Sequence, residues 1–504
     1  MNFAEKLQNE NNKTKAFTEN GAVAYESSGK YLLDFNFKLS QYRNMNIVDI
    51  KNDFAKVYFE NPLTAIKFVF YVGDVRGGLG ERKVFNACIE WLADNKTDLA
   101  KAVLNLIPEY TRWDNLIKLT VNEKVGDWAF DIVKNQLYSD MDRKTSNEAI
   151  SLCAKWMPSI NTSSIDTVKL AYSLCKKLKI TPREYRKMLS TLRKHIDVVE
   201  VKMSANDWGS IVYENVPSQA NLKYNDAFFE HDKERRIAYL RKLQCGETKI
   251  NASVAQPHEI VAKYGDGWYN ISDYDIALEE MWKALPNVTI ENSLVVRDGS
   301  GSMICQIGNS RTTCLDAATA LAIYCSEHNS IEWKDKFITF SSKPKFVDLS
   351  NCKSLREKII RCGAERELSN TNIEATMRLI LSTAVKNNCN QEDMPKNIII
   401  ISDMQFDAYS NGFNWNKTLF EKISDKYKMY GYKLPKIIFW NVALRNANTV
   451  PMQDNELGLI LCSGFSINNM KMFMTGEIDP YKVLLEQINN KRYDIINEKV
   501  INLV

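Results

Sequence analysis

The chain has 504 residues, of which 45% are hydrophobic, and its 66 basic and 62 acidic side chains leave a formal net charge of +4. The length exceeds the usual size of one domain, so at least two domains are expected, and the small net charge excludes a strongly basic or acidic protein. No segment approaches the roughly 18 apolar residues of a membrane helix, and the N-terminus lacks a signal-like apolar core. The sequence therefore predicts a cytoplasmic protein without a membrane partner.

The eleven cysteines and four histidines form no recognisable metal or catalytic motif. The cysteines are scattered between Cys88 and Cys462 without a Cys-x-x-Cys pair, and the histidines are too few for zinc-finger spacing. In a reducing compartment the thiols are expected to stay reduced and buried. Neither a Gly-x-Ser-x-Gly elbow nor a His-Glu-x-x-His helix occurs, so we expect a protein that is not an enzyme.

Helical patterns dominate residues 47–290, where strong strand patterns are scarce. Pro62 and Pro182 mark the first turns of two helices, a position at which proline is tolerated. Short helices that cannot bury their apolar faces alone favour stacked helical hairpins, although no strict sequence period is present. Residues 1–289 are therefore predicted to form an all-α region of irregular helical repeats, either a solenoid or a ring of helical hairpins. The predicted helices span residues 61–71, 81–93, 99–106, 128–138, 149–156, 164–178 and 182–195.

A glycine-rich segment, residues 76–82, connects two of these helices and has the sequence Arg-Gly-Gly-Leu-Gly-Glu-Arg. Its glycines allow left-handed backbone angles and leave amide groups open to an anion beside a helix N-terminus. Arg76 and Arg82 would then hold a phosphate. In an equally weighted alternative, the segment is a structural turn in which these arginines pair with Asp74 or Glu81. No Gly-Lys-Ser/Thr follows, so the pattern does not indicate a P-loop.

The most basic segment, residues 176–195, contains eight lysines and arginines against the single acid Glu184. Helical spacing lets Arg183, Arg186 and Arg193 share one face of the helix that begins at Pro182, while residues 185, 188, 189 and 192 supply a buried stripe. A basic helix with a nearby aromatic residue suits single-stranded RNA. An alternative of equal weight is that these cations simply form the solvated exterior of the helix. The predicted RNA-binding residues are Arg76, Arg82, Lys176, Lys177, Arg183, Arg186, Lys187, Arg193 and Lys194.

Seven short peptides carry a family resemblance. They are Thr-Glu-Asn-Gly-Ala (18–22), Asp-Val-Arg-Gly-Gly-Leu-Gly-Glu-Arg (74–82), Ile-Pro-Glu-Tyr-Thr-Arg-Trp-Asp (107–114), Ala-Lys-Trp (154–156), Glu-Tyr-Arg-Lys (184–187), Val-Pro-Ser (216–218) and Pro-His-Glu-Ile-Val (257–261). This set resembles the TROVE module of the Ro autoantigen ring proteins, and more closely their uncharacterised domain-of-unknown-function relatives. The resemblance implies a HEAT-like ring, closed by a von Willebrand factor A domain, that binds single-stranded RNA ends in its hole and structured RNA on a basic outer face.

After residue 290 the pattern changes to alternating strands and helices, which is typical of an α/β (Rossmann-like) domain. Because a parallel sheet covered by helices has its own core, we expect residues 290–504 to fold by themselves. The predicted strands span residues 294–296, 337–340, 397–401, 437–442 and 459–462, and the predicted helices span residues 313–327, 373–381 and 415–430.

Two strand ends in this half carry oxygen ligands. Asp298-Gly299-Ser300-Gly301-Ser302 follows an apolar strand, and Asp403 lies just beyond four consecutive isoleucines, 398–401, which are typical of a strand buried on both faces. Ligands of open α/β sheets bind outside the carboxyl ends of strands, so both acids are expected to converge on one point. Thr371, in a polar turn before a helix, would add a hydroxyl. Such oxygen ligands suit Mg²⁺.

The Asp-x-Ser-x-Ser motif, the threonine loop and the strand-end aspartate resemble the metal-ion-dependent adhesion site (MIDAS) of von Willebrand factor A domains, over residues 290–504. The resemblance implies that Mg²⁺ or Mn²⁺ is bound by Asp298, Ser300, Ser302, Thr371 and Asp403. Asn370 replaces the glycine that this family usually has before the threonine. Such sites commonly leave one coordination position for a partner's carboxylate. Two-metal nucleases also use strand-end aspartates, but the two hydroxyls of the first loop favour docking over catalysis.

The sequence therefore predicts a non-enzymatic, RNA-binding, ring-like scaffold with a divalent-cation docking site. Its partners would be single-stranded or structured RNA. The alternative is a protein-interaction adaptor that binds a partner carboxylate through the cation and does not bind RNA.

Overall fold

The computed structural model describes residues 15–17, 23–265, 271–307, 312–365, 372–404, 419–443, 458–473, 477 and 479–504. These residues form two compact units, each built from two stretches of chain. The first unit draws on residues 1–60 and 252–490, and the second on residues 61–251 and 491–504. Helices dominate the chain before residue 290, and a mixed sheet of six described strands follows it, so the fold combines a helical region with an α/β region.

The helical region begins with two short antiparallel strands, β1 (Lys15–Phe17) and β2 (Val23–Tyr25). Its described helices are α1 (Tyr31–Phe37), α2 (Ile47–Glu60), α3 (Pro62–Gly73), α4 (Arg82–Asn95), α5 (Thr97–Val103), α6 (Ile107–Tyr110), α7 (Trp113–Lys118), α8 (Gly126–Thr145), α9 (Cys153–Trp156), α10 (Ile165–Leu178), α11 (Pro182–His195), α12 (Val199–Ser204), α13 (Ser218–His231), α14 (Lys233–Gln244), α15 (Pro257–Val261) and α16 (Ile276–Lys283).

Local capping explains where two of these helices begin. The Asn61 side chain accepts a hydrogen bond of 2.9 Å from the amide of Thr64 at the start of α3, and Thr181 and Glu184 form a capping box at the start of α11. Each cap satisfies amide groups that the first helical turn leaves without a partner. The predicted positions of Pro62 and Pro182 in the first turns of two helices are confirmed.

Three of the helices predicted before residue 290 were given bounds that are wrong by several residues. The helix predicted at 149–156 begins only at Cys153, because the amide and hydroxyl of Ser151 donate to the buried carboxylate of Asp140 at 3.0 and 2.6 Å. The helix predicted at 99–106 ends at Val103 and continues as a 3₁₀ turn, while the one predicted at 128–138 spans Gly126–Thr145.

The α/β region contains both strands and helices, and most of its strands are separated by helices. They are β3 (Ser293–Asp298), α17 (Cys314–Glu327), β4 (Lys336–Phe340), β5 (Phe346–Asp348), α18 (Leu355–Ala364), α19 (Ile373–Lys386), β6 (Asn397–Ser402), α20 (Leu419–Met429), β7 (Lys436–Asn441), β8 (Leu459–Ser463), α21 (Pro480–Ile488) and α22 (Asp494–Val500). The spatial order of the strands is β5-β4-β3-β6-β7-β8, and only β5 pairs antiparallel with its neighbour.

This order corresponds to the 3-2-1-4-5-6 arrangement of doubly wound α/β folds, when strands are counted from β3. The switch point, where the strand order reverses, lies between β3 and β6. The isoleucines at 398–401 in β6 are all 0% exposed, and β6 is an interior strand because β3 and β7 pair parallel with its two edges. The predicted buried parallel strand is confirmed.

Segments from before residue 290 belong to the same compact unit as this sheet. The side chain of Asn441, at the end of β7, donates to the carbonyl of Phe37 at 2.8 Å, and the hydroxyl oxygens of Ser40 and Ser463 lie 2.9 Å apart. Glu279, on α16, accepts hydrogen bonds from the first amide groups of α18. Phe37, at the end of α1, and Ser40, three residues further on, therefore complete hydrogen bonds at the carboxyl ends of β7 and β8.

Candidate functional site

The predicted cation loop begins at the carboxyl end of β3, beside the end of β6. Arg297 pairs in register with Ile401, so Asp298 lies level with Ser402 and Asp403 follows at the same edge of the sheet. The two strands flank the topological switch point, where open α/β sheets bind their ligands. Parallel strand pairing therefore brings together residues that are about a hundred positions apart in sequence.

Hydrogen bonds organise the oxygen atoms of this edge. The Asp298 carboxylate accepts from the amide of Ser300 at 2.9 Å and from the hydroxyl of Ser402 at 2.5 Å. The hydroxyl oxygens of Ser300 and Ser302 lie 3.0 Å apart. The amide of Met404, whose φ is 65°, donates to the Ser402 hydroxyl at 3.1 Å. The result is a compact group of carboxylate and hydroxyl oxygens.

Burial determines the electrostatics of this cluster of carboxylate and hydroxyl oxygens. Asp298 is 0% exposed and Asp403 is 5% exposed. Burial, and then the negative charge of Asp403, raises the pKa of Asp298 to about 7, although hydrogen bonds from Ser402 and Ser300 oppose the shift. A divalent cation bound between two closely placed buried carboxylates would stabilise their charged forms. The donor set, two carboxylates with neutral hydroxyls, fits a hard ion such as Mg²⁺ or Mn²⁺.

Four of the five predicted cation ligands lie at this edge of the sheet: Asp298, Ser300, Ser302 and Asp403. Thr371 lies outside the described residues. Ser402 was not predicted as part of the site, although a hydroxyl directly before a strand-end acid was visible in the sequence. Within the part of the chain that the structure describes, no three or more His, Cys, Asp or Glu side chains are grouped so that they could hold a metal ion. A site with two acids and several hydroxyls would not produce such a group.

The glycine-rich segment is a packed turn in the second compact unit. The amide groups of residues 79–81 donate to backbone carbonyls within residues 71–74, at distances between 2.8 and 3.1 Å. A Cβ on Gly78 would lie 1.9 Å from the carbonyl oxygen of Tyr71, so only glycine fits there. The expectation that these amides are open to an anion was therefore wrong.

The acid at the start of this segment is held by the C-terminal stretch of the chain. Asp74 is 0% exposed and accepts hydrogen bonds from the guanidinium of Arg492, one of them at 3.0 Å, and from the hydroxyl of Tyr493 at 3.0 Å. Arg82 instead pairs with Asp114 and donates to Asn115 at 3.1 Å. Arg82 therefore has a different partner from the predicted Asp74 or Glu81, while the predicted structural turn itself is present.

Three other predicted RNA-binding residues have partners inside the chain. The guanidinium of Arg193 donates to Ala154 O at 2.9 Å, to Ser159 Oγ at 2.9 Å and to Met157 O at 2.7 Å. The guanidinium therefore points inward, so Arg193, although its position can share a face of α11 with Arg186 as predicted, does not present its charge to solvent there. Lys177 and Arg76 also donate to backbone carbonyls, at 2.9 and 3.0 Å, and Lys177 pairs with Asp127 at 2.9 Å.

The remaining five predicted RNA-binding residues are exposed, and none makes an ion pair with another residue in the described ranges. They are Lys176, Arg183, Arg186, Lys187 and Lys194. The buried stripe of α11 contains Tyr185, Leu189 and Leu192, as predicted, and Met188 is half-buried. The exposed side of the α10–α11 hairpin is therefore basic.

Comparison with known proteins relates both regions to domains without an assigned role. Residues 292–500 match the family "Domain of unknown function (DUF7788)", and residues 18–108 and 130–289 match "Domain of unknown function (DUF2828)". The chain is similar to "Uncharacterized protein L728" of Acanthamoeba polyphaga mimivirus, with 29% identity over 512 residues, 93% of this chain and 86% of that protein. The predicted likeness to domain-of-unknown-function relatives fits these matches. No helix among the described residues could cross a bilayer.

Proposed function

We propose that the protein is a non-enzymatic scaffold that binds a divalent cation in a von Willebrand factor A-like domain and binds RNA through a HEAT-like helical region. The proposed architecture is that of the Ro ring proteins. The cation binds a partner's carboxylate at one surface, and the α10–α11 hairpin binds RNA at another.

The observation that carries the proposal is the position of Asp298, Ser300, Ser302 and Asp403 at the switch point of a doubly wound sheet. In this proposal these residues hold Mg²⁺ or Mn²⁺, with Thr371 as the fifth ligand. The bound ion offers an open coordination position to a carboxylate of a partner. Protein side chains contribute acids and neutral hydroxyls only, which suits binding of an oxygen ligand rather than attack on a substrate.

The RNA part of the proposal is supported by the exposed cations of α10 and α11. Phosphate contacts release counterions, so affinity should fall with salt with a slope of about −0.7 per contact on a single strand. Because such contacts carry no base information, they should act alike on all sequences.

Two measurements test the proposal. Calorimetry with MnCl₂ should give one site per chain, lost in Asp298→Ala and weakened in Asp403→Ala. Filter binding should show that a variant with Arg186, Lys187 and Lys194 changed to Glu loses affinity for single-stranded and hairpin RNA alike. Unchanged Mn²⁺ affinity in both aspartate variants would eliminate the cation site, and wild-type protein that ignores RNA at low salt would eliminate the RNA function.

A protein-interaction adaptor is the second candidate, and one observation favours it. Arg76, Arg82, Lys177 and Arg193 have partners within the chain, which reduces the proposed RNA surface to one hairpin. An adaptor should capture a carboxylate-bearing protein in MgCl₂, release it in EDTA, and retain no RNA at any salt concentration.

A further inference from the structure

We propose that helix α10 carries a stacking surface for unpaired RNA bases, made of Ile165, Lys169, Tyr172 and Lys176, which we call the α10 track. The inference rests on the RNA-binding function proposed above and goes further, because it selects single strands over duplexes. It also names a tyrosine as the main contact with the bases.

The four residues form one line along the helix. Their spacing of four, three and four positions places them on the same face of an α-helix. Ile165 is 70% exposed and Tyr172 is 48% exposed, and both lysines are exposed. The buried residues of α10 lie on a different face of the helix: Ala171, Leu174, Cys175 and Leu178. The track is therefore a surface that the packing of the second compact unit leaves open.

The charge of the surroundings favours an anionic partner. Both charged members of the track are lysines, and the exposed residues that follow it include Lys179, Arg183, Arg186, Lys187 and Lys194. Asp166 and Glu184 are the acids of these two helices, and the Glu184 carboxylate is already engaged by the amide and hydroxyl of Thr181, at 2.7 and 2.8 Å. A protein partner would need an acidic face to match this charge, whereas every nucleic acid has one.

The alternation of apolar and cationic groups favours unpaired bases. In a duplex the bases stack on each other and only the backbone and groove edges reach a protein surface. In a single strand each base has a free face that can stack on an aromatic ring, while the lysines on either side contact phosphates. Tyr172 lies between Lys169 and Lys176 along the track, so one strand can make both kinds of contact. The track therefore fits single-stranded RNA better than it fits a duplex.

The test compares two tyrosines of similar exposure. Tyr138 on α8 is 46% exposed, but its neighbours one turn away, Lys134 and Asp142, have opposite charges. Fluorescence anisotropy with the full chain and a labelled oligouridine of about 12 nucleotides, within the usual site sizes, should show affinity on the order of tenfold weaker in Tyr172→Ala. Tyr172→Phe should keep wild-type affinity because the ring remains, and Tyr138→Ala should also keep it.

The possible outcomes separate the track from the general RNA function. An RNA duplex of the same length should bind more weakly than the oligouridine, and Tyr172→Ala should not change its affinity. If wild-type protein binds RNA while Tyr172→Ala and Tyr138→Ala both match it, the track is refuted and the RNA function stands. If wild-type protein binds no RNA, the RNA function and the track are both refuted. If wild-type protein binds no RNA but captures a protein partner, and Tyr172→Ala abolishes that capture, the track is a protein-docking surface instead.

Discussion

Replacing Arg492 by methionine should destabilise the second compact unit by about 3 kcal/mol, because the change leaves a buried carboxylate without its positive partner. Asp74 is 0% exposed, and Arg492 supplies two of its hydrogen bonds. Breaking a buried ion pair typically costs roughly 3–5 kcal/mol. The low end applies here because the Arg492 side chain is 32% exposed and the hydroxyl of Tyr493 still donates to Asp74 at 3.0 Å.

Urea denaturation followed by circular dichroism would measure this free energy of unfolding. Lys491→Met is the matched control, since Lys491 is the exposed neighbour of Arg492 and surface changes usually stay within about 0.5 kcal/mol. Adding Asp74→Asn to Arg492→Met should recover part of the loss, because a neutral amide costs less to bury than an unpaired carboxylate. Equal free energies of unfolding for Arg492→Met and Lys491→Met would refute the reasoning.

Three further predictions concern the cation site, the basic hairpin and the α/β region. Ser402→Ala removes a hydroxyl donor to Asp298, and calorimetry should show Mn²⁺ affinity reduced about 10- to 100-fold; an unchanged affinity would separate Ser402 from the site. Arg193→Met should lower the melting temperature while Lys194→Met does not, and the reverse ranking in filter binding to RNA is expected because only Lys194 is exposed. A fragment of residues 290–504 should melt cooperatively but at lower temperature than the full chain, since it lacks the hydrogen bonds of Phe37 and Ser40 with β7 and β8; a molten, dye-binding fragment would contradict independent folding.

Local patterns were sufficient to predict much of this fold. Four isoleucines at 398–401 predicted a doubly buried strand, and the acids at the ends of two such strands predicted that Asp298 and Asp403 meet. Both inferences depend only on strand polarity and on burial, which the order of residues along one segment specifies. The starts of α3 and α11 were predictable for the same reason, because a cap acts within a few residues.

Contacts between distant segments were not predictable from such patterns. Asp74 and Arg492 are separated by 418 positions, and no periodicity within either segment indicates the other. The glycine-rich segment therefore resembled an anion cradle, when its close packing in fact accommodates Arg492 and the carbonyl of Tyr71. The inward direction of the Arg193 guanidinium was not predicted for a related reason. Helical spacing specifies the angle of a side chain around its axis, but not whether a long side chain turns back to carbonyls of a neighbouring helix.

The composition of the candidate cation site follows from a balance of charge. Asp298 and Asp403 already repel each other in a buried setting, and the pKa of Asp298 rises to about 7 as a result of burial and of that second charge. A third buried acid would raise the electrostatic cost further. Two carboxylates neutralise one divalent cation, and the hydroxyls of Ser300 and Ser302 can add coordination without adding charge. A cation held in this way would still attract one more anionic oxygen, because the two carboxylates do not give the site a net negative charge. The choice of serines in the first loop is therefore consistent with the proposal that the site binds a partner's carboxylate.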